Sequence, residues 1–162
     1  MPISVDIRET LMQREPGAAI AQALDALLEH DGHLLRVDAN ERSLTHRFGM
    51  YLQAALPDWH VDCEYNRNGP DPKRIVLGER LVDIADTDGK TAYPDVIVHI
   101  RDTDRNHLVL EFKKTSSRVG DQDDFAKLGA YKHDPRLCYA FAIFVELEVG
   151  ITPGVARVVW VD

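Results

Sequence analysis

Apolar residues recur at helical spacing through the first third of this chain and at strand spacing through most of the rest. Residues 1–15 carry scattered charge and little pattern, which predicts an extended or partly mobile lead-in. In 16–30, Ile20, Leu24, Leu27 and Leu28 form one stripe, with Pro16 near the start and Gly32 just past the end, as in an amphipathic helix packed on a sheet. A second helix is predicted over 40–56, where Leu44, Phe48, Tyr51, Leu52 and Ala55 form an apolar arc and Pro57 stops it. Trp59, Val61, Cys63 and Tyr65 then alternate with polar neighbours, predicting the sheet's first strand over 59–67 with one well-buried face. Residues 66–92 hold Asn68-Gly69-Pro70-Asp71-Pro72, short apolar runs at 75–77 and 81–84, and Asp88-Gly89. They read as an insertion with turns at both ends, either a flap over a cleft or a floppy surface loop.

Stretches 93–100 and 107–114 are rich in Val, Ile, Leu and Phe around the polar segment 101–106, a β-hairpin signal. A further helix is expected over 121–133. The almost wholly apolar 138–147 reads as a central strand covered on both faces, and 155–161 as a final strand after Pro153-Gly154. The fold class is α/β, a mixed sheet with helices on its faces.

The hairpin carries the candidate chemistry. Alternation puts Val109, Glu111 and Lys113 on one face of its second strand and Leu108, Leu110 and Phe112 on the other. With the turn centred on Asp104, Asp95 falls opposite Lys113 and diagonal to Glu111, close enough for two carboxylates to converge on one ion. The plainer reading makes Glu111 and Lys113 solvated residues of an edge strand. Against it, these charges interrupt runs that look buried on both faces, where unpaired charge is costly. In the second helix Glu41 projects onto the core arc. It points inward toward the sheet and could close a capping box with Asp38 as N-cap. On the 121–133 helix, Lys127 and Tyr131 are four apart on one face, which fits a surface pair as well as a functional one.

Pro94-Asp95 followed by Glu111-Phe112-Lys113 resembles the PD-(D/E)xK signature of the restriction-endonuclease-like nucleases. The resemblance implies an αβββαβ core over 40–147, with the N-terminal helical extension 1–38 and the strand 155–161 outside it. It also implies a metal-dependent phosphodiesterase using Mg²⁺ or Mn²⁺. Asp95, Glu111 and the Phe112 carbonyl would be ligands, Glu41 would join them directly or through water, and Lys113 would assist the attacking water. The stretch KLGAY resembles the QxxxY helix of RecB-type nucleases, with lysine in place of glutamine. That likeness would bring Lys127 to the scissile phosphate or the metal ligands, with Tyr131 as a buttress. A looser likeness, to bacterial proteins with an ERSLTHR helix and a CEYNR strand, rests on 41–47 and 63–67 and adds nothing about activity.

Composition adjusts this picture in three ways. At 162 residues the chain is one domain's worth. The start lacks a signal-peptide pattern and no apolar run could span a bilayer, so a cytoplasmic protein with no membrane partner is expected. Cys63 and Cys138 fall inside expected strands and read as reduced core thiols. The net charge of −8 weighs against a nucleic-acid enzyme, although two divalent ions would halve it and the local field decides. Arg67, Lys73, Arg74, Lys114, Arg118 and Lys132 are candidates for a basic rim. The expected partner is nucleic acid, DNA ahead of RNA, with a homodimer or a protein partner as a way to complete the cleft. The rival class is a catalytically silent nuclease-fold module that binds a protein or a nucleic-acid structure.

Overall fold

The computed structural model describes residues 2–65 and 93–162 in full, and between them only the backbone of four short strands. The elements run α1 (Val5–Leu11), α2 (Gly17–Arg36), α3 (Glu41–Ala55), β1 (His60–Cys63), β2 (Arg67–Asn68), β3 (Asp71–Pro72), β4 (Arg74–Leu77), β5 (Arg80–Asp83), β6 (Val96–His99), β7 (Asn106–Lys114), α4 (Gln122–His133), β8 (Phe141–Glu148) and β9 (Gly154–Val161). One mixed sheet has the order β1-β6-β7-β8-β9. Its β7–β8 pair is parallel and the others are antiparallel. A parallel pair needs a crossover, and α4 supplies it.

Alternation along β7 explains the two layers. Leu108, Leu110 and Phe112 join the core under α1, α2 and α3, while Val109 joins a second core under α4 with Leu128, Tyr131 and Phe144. Both faces are therefore covered, and β6 is buried at every position. The β2–β3 and β4–β5 pairs are antiparallel ribbons separate from this sheet. The rest of the 66–92 insertion, and with it the choice between flap and loop, lies outside the described residues.

Several expectations need correcting. The lead-in contains a helix: the Ile7 N–H donates to Ser4 Oγ (3.4 Å), and Ile7 and Leu11 are buried. Long-range bonds fasten it, from Trp160 Nε1 to the Thr10 carbonyl (2.9 Å) and from Arg8 to Asp25 (2.6 Å). With seven residues and two inward positions, it carries too little periodicity to be read in advance. Helix α2 runs past Gly32 to Arg36, bending at Asp31. Leu35, completely buried, makes continuing worthwhile, and Asp31 is itself tied to Arg47 (2.8 Å) and Tyr51 (2.6 Å) of α3. Strand β1 is shorter than expected and only half-buried, because it is the sheet's edge. There Gln53 of α3 accepts the Val61 N–H (3.0 Å) and donates to the Trp59 carbonyl (2.8 Å), closing part of the edge. Neither cysteine is a core thiol. Cys63 ends β1, and Cys138 precedes β8 at φ 45° in the turn that follows α4; both are exposed and free. Among the described residues no helix is long and apolar enough to cross a membrane.

The β1–β6 edge is locked by Asp62, which meets His99 Nε2 (2.7 Å) and Arg101 Nε (2.9 Å). Burial alone would raise its carboxyl, but the hydrogen bonds from His99 and Arg101 hold it well below the usual range. A depressed carboxyl contributes stability that is present above the unfolded-state value and is lost as pH falls through the folded-state value. Asp62→Asn is therefore expected to cost about 1–3 kcal/mol at pH 7, with the gap to wild type closing below about pH 4. Denaturant unfolding across pH checks this; an equal gap at pH 7 and pH 3 would contradict it.

Candidate functional site

The pairing of β6 with β7 decides which side chains meet. Val96, Ile97 and Val98 pair with Leu110, Val109 and Leu108, so continuing by one residue sets Asp95 opposite Glu111 rather than opposite Lys113. The expected register was two residues out. The turn centres on Asp102 and Thr103, with Asp102 at φ 58° and Thr103 Oγ1 bonded to the Ile100 carbonyl (2.6 Å), and a bulge follows at its mouth.

Asp95 is fixed from the backbone: its Oδ2 accepts the Phe112 N–H at 2.7 Å. Glu111 is 1% exposed. Its Oε2 pairs with Lys127 Nζ at 3.0 Å, whereas its buried Oε1 has no hydrogen-bond partner among the described residues. Burial and the adjacent Asp95 push the Glu111 carboxyl well up, with Lys127 pulling the other way. Burial also raises Asp95, and the Phe112 amide and Lys127 oppose it. Two acids side by side in a dry site cannot both ionise cheaply, and both carboxyls are pushed above their ordinary values. Burial works against the charge on Lys127, but Glu111 and Asp95 outweigh it and the ammonium persists.

Lys127 and Tyr131 are thus not a surface pair. Both are buried on the sheet side of α4, and Tyr131 packs edge-on against Tyr139 with ring centroids 5.7 Å apart. Lys113 leaves the acid pair alone. Its Nζ lies 2.6 Å from Asp124 Oδ2 and 3.2 Å from the Gly120 carbonyl, at the start of α4. Lys114, on the opposite face of β7, bonds Asp38 Oδ1 (2.8 Å) and the Ala39 carbonyl (2.9 Å), and Ser116 Oγ donates to the same Asp38 oxygen (3.0 Å). These bonds tie the loop before α3 to the end of β7.

That loop corrects the expected cap. Asn40, not Asp38, is the N-cap of α3, accepting the Ser43 N–H at 2.8 Å. Asp38, at φ 52°, is committed to Lys114 instead. Glu41 becomes the first helical residue, with no capping-box partner to reach. It is half-buried, and burial followed by Asp95 pushes its carboxyl up to about 7, with Lys113 partly offsetting them and Asp124 adding to them. Glu41, Asp95, Lys113 and Asp124 therefore share one electrostatic space between the N-termini of α3 and α4.

Among the described residues no three His, Cys, Asp or Glu side chains close into a metal cage. The acid pair is nevertheless the right donor set for a hard divalent cation, because Mg²⁺ commonly takes one or two carboxylates and keeps several waters. Glu111 Oε1, buried and without a hydrogen-bond partner among the described residues, is an atom such an ion would satisfy. Of the candidate basic rim, Lys114 is engaged with Asp38, Lys132 Nζ donates to the Val161 carbonyl (2.9 Å), and Arg118 is exposed. Arg67, Lys73 and Arg74 have side chains outside the described residues. Compared with known proteins, the chain matches no family model, no curated protein and no solved structure.

One neighbour of the site escapes a sequence reading, Asp124, which shares the Lys127 and Tyr131 stripe, the signal that could have found it. Lys114, expected on a basic rim, is instead committed to Asp38 and the Ala39 carbonyl.

Glu41 gives a stability test. Below about pH 4 it is neutral folded and unfolded alike; between there and about 7 the unfolded chain ionises it first, so folding is penalised, fully so above 7. Glu41→Gln should thus leave stability unchanged at pH 4 and raise it by about 1–3 kcal/mol at pH 8 in chelator. Thermal or urea melts read this, and a variant less stable than wild type at pH 8 would refute the inward, desolvated placement.

Proposed function

We propose that the protein is a metal-dependent nuclease of the PD-(D/E)xK, restriction-endonuclease-like type, hydrolysing phosphodiester bonds of nucleic acid. The observation that carries this is the buried Asp95–Glu111 pair, whose Glu111 Oε1 has no hydrogen-bond partner among the described residues, set at the end of a hairpin beside Lys113. The order α3, β1, β6, β7, α4, β8 supports an αβββαβ core, with α1, α2 and β9 as additions.

In this reading Asp95 and Glu111 would hold Mg²⁺ or Mn²⁺, with the Phe112 carbonyl as a further oxygen and Glu41 as a direct or water-mediated contact. When bound, the ion acidifies a water and stabilises charge on phosphate oxygens. The chain's own groups do the rest. The Phe112 amide fixes the Asp95 carboxylate, and Lys127 orients Glu111 from the α4 side. Tyr131 keeps the floor of the site packed and dry. Lys113 would donate to the attacking water or to a phosphate oxygen as negative charge develops. Glu41 supplies another carboxylate on the α3 side.

One observation favours a second reading, a silent module of the same fold that binds a partner. Each site lysine is already matched to an acid, Lys113 to Asp124 and Lys127 to Glu111, on a chain of net charge −8.

A cleavage assay on single- and double-stranded DNA and RNA with Mg²⁺ or Mn²⁺ tests the proposal. Metal-dependent cutting should fall at least ~100-fold in Lys113→Ala, an effect on the scale of losing one transition-state donor, while the circular dichroism spectrum stays wild-type. Equal cutting by wild type and variant would remove Lys113 from the mechanism. Folded wild-type protein that binds nucleic acid and never cuts it would favour the silent module.

A further inference from the structure

We infer that Asp124 is the positioning residue for Lys113, holding its ammonium at the mouth of the site. This deepens the nuclease reading and rests on it for the catalytic consequence. The geometry is specific. Lys113 Nζ is 2.6 Å from Asp124 Oδ2 and 3.2 Å from the Gly120 carbonyl, and both side chains of the ion pair are mostly buried, at 13% and 14% exposure. An ammonium has three donor hydrogens. The Gly120 carbonyl takes one and the Asp124 carboxylate pairs with the charge, which leaves donor capacity for a water or a phosphate oxygen.

A lysine side chain has four rotatable carbons and would otherwise sample many positions, and a catalytic donor out of place by about 1 Å can cost 10²-fold in rate. Asp124 removes that freedom. It does so from α4, the helix that also delivers Lys127 to Glu111 one turn further on, so one rigid element sets both lysines against the hairpin. A bland role exists for an acid in a helix's first turn, which is favourable charge at the positive end of the dipole. Asp123 has that role too, but it is exposed and supplies the control.

The experiment uses ¹⁵N-labelled full-length protein and reads the Lys113 side-chain ammonium resonance, identified by its loss in Lys113→Arg. An ammonium held by a hydrogen bond and a mostly buried ion pair exchanges slowly enough with water to be observed. The resonance should be present in metal-free wild type, absent in Asp124→Asn, and unaffected in Asp123→Asn. In the cleavage assay Asp124→Asn should lower kcat tenfold or more with KM within twofold, and Asp124→Glu should restore part of both signals, covering a case in which the asparagine variant folds poorly. A resonance that survives in Asp124→Asn, or an unchanged kcat, overturns the inference. Wild-type protein that cuts no substrate fells the nuclease reading and the catalytic consequence with it, while the resonance still decides whether Asp124 holds Lys113.

Discussion

Two carboxyl groups placed side by side out of water constrain everything around them. Asp95 and Glu111 lie at the dry end of a hairpin whose two faces are both covered. Leaving both charged there would cost several kcal/mol per ion, more than a marginally stable domain can tolerate. The chain reduces that cost with the Phe112 amide on Asp95 and the Lys127 ammonium on Glu111. Among the described residues Glu111 Oε1 is still left without a donor. Valine at these positions would avoid that cost, so the retained acids fit a role in holding a ligand.

The surroundings follow from the pleat of β7. Its consecutive lysines point to opposite faces, so Lys113 bonds the start of α4 and Lys114 bonds the loop that starts α3. Two helix N-termini are thereby drawn to one end of the sheet, bringing Glu41 from one side and Asp124 from the other. The partial positive charge of those termini suits anionic groups. The two cores beneath the helices hold this frame rigid, with Phe48 of α3 packed edge-on against Phe112 at 4.9 Å.

Much of this was legible in the sequence, for physical reasons that differ by element. Long runs with a clear period, as in α3, β7 and β8, identify themselves because burial is what creates the period. The inward aim of Glu41 follows from the same helical projection. The short α1 has too few inward residues for any period to emerge, and Leu35 extends α2 beyond the point where Gly32 suggests an end. The hairpin register depends on where the turn centres, and no residue in 101–106 fixes that as clearly as an Asn-Gly pair would. Sequence spacing also puts Lys127 and Tyr131 on one face without saying whether that face meets water or the sheet. The partners of Lys113 and Lys114 are contacts between distant segments, which no local pattern records.

The most direct test of the acid pair is a Mn²⁺ titration of metal-free protein, following the electron paramagnetic resonance of the free ion, on wild type and Asp95→Asn. The account predicts saturable binding to wild type that disappears in the variant while the fold is kept. Wild-type protein that leaves the Mn²⁺ signal unchanged, or equal binding by both proteins, would contradict it.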